Sequence, residues 1–159
     1  MVNPSAQRRP ARRDRRGRGL RGPLVPSDLP AYRSPSQRFD AAVLAAYAPF
    51  VEMFPAELAT VDLAVDDVPR MNVSPDEVLE SDQIVADGPV PLGRIIPTGV
   101  DQRGHPIRPH FVVFRAPIER RAQAEDSTDA LPRILHEVLA ILVANYVGVD
   151  PQVIDPTVD

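Results

Sequence analysis

The chain has 159 residues, enough for one domain with a single modest core. It has no cysteine, which excludes disulfides and thiolate metal sites, and an aromatic content of 5% leaves the core to Val, Leu, Ile and Ala. The net charge of −4 is uneven: residues 1–21 hold eight arginines against one acid, Asp14, while the rest is acidic, a balance that argues against a dedicated DNA-binding protein.

Residues 1–34 are expected to form a disordered arm and connector. "QRRPARRDRRGRGLRG" carries charge, Gly and Pro without apolar periodicity. Arg12, Arg13, Arg15, Arg16 and Arg18 are its candidates for gripping nucleic acid or an anionic surface. The alternative is a solvated tail, or one folded back on the acidic body, because no stacking aromatic interleaves the arginines. Pro23, Pro26, Pro30 and Pro35 mark an extended connector. No apolar run approaches the roughly 18 residues a bilayer crossing takes, and no apolar signal segment follows the arginines. The expected location is cytoplasmic.

Residues 35–156 read as a single α+β domain. In "SPSQRFDAAVLAAYAPFVEMF", Phe39, Val43, Ala46, Phe50 and Phe54 recur at helical spacing behind a Ser36 cap, with Pro49 placed to bend or split the helix. "TVDLAVDDV" alternates, with Val61, Leu63 and Val65 on one face of a strand. The acidic, proline-marked segment from Pro69 to Pro91 reads as a loop. "LGRIIPTGV" and "HFVVFRAPI" are two more strands, joined by the hairpin-like "DQRGHPIRP". From about Thr128 to Val147 runs the best-defined helix, with Thr128 or Asp129 as cap, Pro132 in the first turn and Gly148 as stop. The architecture expected is a small mixed β-sheet of about three strands packed on this long C-terminal helix and on the N-terminal helix.

The last helix carries the chemistry. It is apolar nearly all round, so it must be the central helix of the domain or lie in a homodimer interface. His136-Glu137 opens the HExxH pattern, in which two histidines one turn apart reach a common zinc and the glutamate acts as base on its water. Ala140 stands where the second histidine belongs, and a methyl group donates nothing to a metal. His105, His110 or Asp150 would have to complete a rearranged site; otherwise His136 is structural.

The chain also resembles the zincin-like metallopeptidase family, the minimal zincins, in its actinobacterial branch. The resembling stretches are "RDRRGRGLRGPLVPSDLP", "RFDAAVL", "VDLAVDDVP", "PLGRIIP", "HFVVFRAPIERRA" and "LHEVLAILVANYVGVDPQVIDP", in that order from about Arg13 to Pro156. The resemblance implies a small mixed sheet on the last long helix and zinc-dependent peptide hydrolysis by an intact HExxH, followed by a glycine and an acidic ligand. Aligned on Gly148, the motif positions fall on Ile141, Leu142 and Asn145, and Asp150 alone matches the later acid. Aligned on His136-Glu137, the glycine lies too far on. The two registers differ by five residues, roughly 140° around a helix, and cannot describe one site.

Three functions therefore compete. The first is a family member that has lost zinc and catalysis, expects no cofactor, and binds an unidentified protein or peptide partner. The second is a zinc metallopeptidase with His136 as ligand and Glu137 as base. The third is an arginine-arm nucleic-acid adaptor.

Overall fold

The computed structural model describes residues 33–69 and 83–157. The arginine arm, and with it the expected disorder and anion contacts of Arg12, Arg13, Arg15, Arg16 and Arg18, lies outside the described residues, as does the middle of the acidic loop.

Helix α1 spans Pro35–Met53 and buries Phe39, Val43, Tyr47 and Phe50, one stripe at spacings of four, four and three. Tyr47 takes the place expected for Ala46. The helix continues through Pro49, which sits on the exposed face. The break comes instead at Phe54, after which Pro55 starts the one-turn helix α2, Pro55–Leu58.

Strand β1, Asp62–Asp66, follows, then β2, Ile84–Asp87, and β3, Val90–Ile96. The short strands β4, Gly99–Val100, and β5, Pro106–Ile107, pair as a separate hairpin, and β6, His110–Phe114, returns to the main sheet. The main sheet has the order β1-β6-β3-β2; β1 runs parallel to β6, and the other pairs are antiparallel. The fold is α+β with a small mixed sheet, as expected, but the sheet holds four strands rather than three.

Two elements differ from the expectation, and the first supplies the fourth strand. The segment assigned to a loop up to Pro91 contains β2, which joins β3 through Gly88 in a left-handed turn at φ 56°. The strand expected to run to Ile118 stops at Phe114, and helix α3, Arg115–Ala124, begins at the next residue. Pro117 lies in the first turn of α3, where its missing N–H breaks no helical bond.

Helix α4, Ala130–Val147, lies on one face of the sheet and buries nine residues from Ala130 to Ala144. Gly148 ends it in the left-handed conformation, with its N–H on the Ala144 carbonyl. Asp129 occupies the cap position without a side-chain cap bond. By length and composition α4 could cross a bilayer, with a mean hydropathy of 1.4 over 18 residues, contrary to the expectation that no run reaches that size. Here it is the core helix, packed by α1, α3, β2 and β3. Contact with β3 is close: a Cβ on Gly93 would meet Leu142 Cδ1, Val138 Cγ1 and the Val112 carbonyl oxygen, each at 3.1 Å. An extra residue on β3, Leu92, bulges out of the β2–β3 register and joins the core. A last one-turn helix, α5, spans Pro151–Ile154.

Candidate functional site

Sequence spacing put His136 and Glu137 side by side on α4. On a helix, adjacent residues point about 100° apart, and the two side chains have separate partners.

The His136 ring lies over Phe50 of α1, with centroids 4.9 Å apart and planes at 27°. Its Nε2 is 3.0 Å from Oδ2 of Asp155, just past α5. That carboxylate is only 14% exposed. Its other oxygen accepts from the hydroxyl of Thr157 at 2.7 Å and from the backbone N–H of Thr157 at 2.9 Å. The Thr157 hydroxyl bond, then the Thr157 N–H, and less strongly the charge and hydrogen bond of His136 hold Asp155 below the usual carboxylate range, against its desolvation. His136 thus ties the C-terminal segment to α4 and α1.

Glu137 turns toward α3. Its carboxylate accepts from Arg121 Nη2 at 3.3 and 3.4 Å and lies 3.7 Å from Arg133 Nη1, one turn earlier on α4. Arg121 also approaches Glu125 at 3.7 Å and Asp87 of β2 at 3.9 Å, and Arg133 pairs closely with Glu125. The result is a five-residue charge network joining β2, α3 and α4, with the side chains of Arg121, Glu125 and Glu137 partly buried and those of Asp87 and Arg133 exposed. A general base needs a lone pair free for a water proton; this carboxylate faces two guanidinium groups.

Ala140 is fully buried, as is Leu142. Ile141 and Asn145 are half-buried. Asp150 accepts from the Gln152 N–H at 2.9 Å and caps α5. His105 belongs to the β4–β5 turn: Asp101 Oδ1 accepts from the N–H groups of Arg103 and His105 at 2.8 Å, and its Oδ2 lies 3.2 Å from His105 Nδ1. The His105 N–H is the main reason the Asp101 carboxyl sits below its usual range. His110 opens β6, with Nδ1 3.1 Å from the Arg108 carbonyl oxygen.

The structure therefore brings none of these candidates together. Among the described residues, no three His, Cys, Asp or Glu side chains are grouped to hold a metal ion. A catalytic zinc takes three protein ligands; around His136 the donors are one imidazole and the Asp155 carboxylate, and that set does not fit it. Sequence reasoning missed Asp155, Arg121 and Phe50 as the partners that assign the His-Glu pair its work. Arg133, four residues before Glu137, was the one legible signal, an i,i+4 ion pair. A comparison with known proteins finds no family model and no curated relative that matches the chain.

Proposed function

We propose that this chain is a non-catalytic relative of the zincin-like metallopeptidases and acts by binding a protein or peptide partner. The observation that supports this reading is the division of labour at His136-Glu137. The imidazole is engaged by Phe50 and Asp155, and the carboxylate by Arg121 and Arg133. Both groups that HExxH chemistry would use are committed to holding helices together. The turn beyond them is closed by buried Ala140.

The test is the metal content of untagged, full-length protein, with its thermal midpoint before and after chelation. Zinc well below one per chain and an unmoved midpoint are expected. Glu137→Gln should cost less than about 1 kcal/mol, as for a partly exposed ion pair. Stoichiometric zinc removable by chelator, with peptide hydrolysis abolished in folded Glu137→Gln, would reverse the reading.

A further inference from the structure

Strand β1 is an edge of the main sheet: among the described residues it pairs with β6 alone. The Asp62 N–H bonds inward to the Pro109 carbonyl at 3.0 Å. Backbone groups alternate sides along a strand, so the N–H and C=O of Leu63 and Val65 point outward, along the free edge. The side chains of Leu63 and Val65 line a groove of about 270 Å³ between β1 and α1, with Val43, Leu44 and Asp40 as the opposite wall. Leu44 is 62% exposed, unusual for a leucine beside a strand edge. Asp62, Ala64 and Asp66 point to the other face of the sheet. The far edge, β2, is only four residues long, pairs across the bulge at Leu92 of β3 and ties Asp87 to Arg121, so it is blunted against pairing.

The sequence of β1, Asp-Leu-Ala-Val-Asp, decides between occupants. A second copy pairing antiparallel over the full strand would place Asp62 opposite Asp66 and Asp66 opposite Asp62. Like charges directly opposite destabilise a strand pair. The same two carboxylates, both exposed and neither in an ion pair among the described residues, favour a strand with cations at those positions. We infer that the β1 edge and the α1–β1 groove take up an extended segment of another protein with the pattern basic–apolar–any–apolar–basic. It would add a fifth strand to the sheet by backbone hydrogen bonds. Its two apolar side chains would enter the groove against Leu44, Leu63 and Val65. Its basic side chains would pair across the strand with Asp62 and Asp66. Because the charges of β1 are symmetric about Ala64, either strand direction satisfies them. This inference uses no residue of α4 and stands whether or not the chain descends from a peptidase.

The test is a titration of full-length protein with a capped peptide carrying Arg-Val-Ser-Val-Arg, followed by amide NMR shifts, beside the same peptide with Glu for Arg. Shifts centred on Leu63 and Val65 are expected, with the arginine peptide about tenfold tighter, the sum of two cross-strand charge pairs. Val65→Pro removes an outward N–H, a change an edge strand tolerates, and should abolish binding while circular dichroism and the thermal midpoint show the fold intact. The double variant Asp62→Arg/Asp66→Arg leaves the backbone untouched and should invert the preference toward the glutamate peptide. No shift at millimolar peptide, equal affinity for both peptides, or an unchanged preference in the double variant would each overturn the inference. So would self-association of the native chain that Val65→Pro abolishes, since the edge would then belong to a second copy.

Discussion

Tyr47 shows how single polar atoms are treated in this core. Its ring packs edge-on to Phe111, centroids 6.2 Å apart, and its hydroxyl is buried with no hydrogen-bond partner among the described residues. Burial, and then the nearby Tyr146, push the phenol above its usual range. A buried unpaired hydroxyl costs stability that an apolar ring of the same shape does not. Tyr47→Phe should therefore leave the fold unchanged and raise stability by up to about 1 kcal/mol, read as a higher denaturation midpoint. At the same scale, the candidate residues were legible as types but not as partners. His136 and Glu137 stood out by adjacency. What directs them is Asp155, far along the chain, and Arg121 on a helix that the sequence had hidden, and no local spacing reports such contacts.

Among the elements, α5 and the residues after it form a clasp over α4, closed by His136 and Asp155. The folded pKa of Asp155 lies below the unfolded value of about 3.8. A depressed carboxyl pKa contributes stability that is fully present above the unfolded value and lost as pH falls through the folded one. The thermal midpoint of the native chain should thus exceed that of Asp155→Asn by a constant amount at neutral pH, and the gap should narrow as pH drops below about 4. An equal gap at acid and neutral pH would show that this carboxylate is not the clasp.

The same scale explains which elements could be read in advance. The apolar stripe of α1 and the near-continuous apolar run of α4 announce themselves, because burial on those faces leaves a period of about 3.6. Helix α3, "RAPIERRAQA", buries only Ile118, so it has no stripe to find, and Phe114 passes from strand to helix without a loop. Strand β2 is four residues long with one buried side chain, Val85, too short for alternation to show. Its Asp87-Gly88 turn was the hairpin signal available, obscured by the acidic residues before it.

For the molecule as a whole, nine residues of α4 are buried against α1, α3, β2 and β3 of the same chain, and Leu131, Ile141, Tyr146 and Val147 are half-buried. A second copy is not needed to bury it. The thermal midpoint should accordingly be independent of protein concentration over about a hundredfold range, whereas a homodimer through α4 would raise it with concentration. The parallel pairing of β1 with β6 carries one more consequence. Every residue of β2 to β5 lies between those partners in sequence, so β1 gains its neighbour only after the longest chain closure in the sheet. On the ribosome, α1 and β1 leave the exit tunnel well ahead of His110–Phe114. Until β6 arrives, Leu63 and Val65 lack their sheet neighbour, and the like charges of Asp62 and Asp66 that bracket them disfavour pairing of one waiting strand with another.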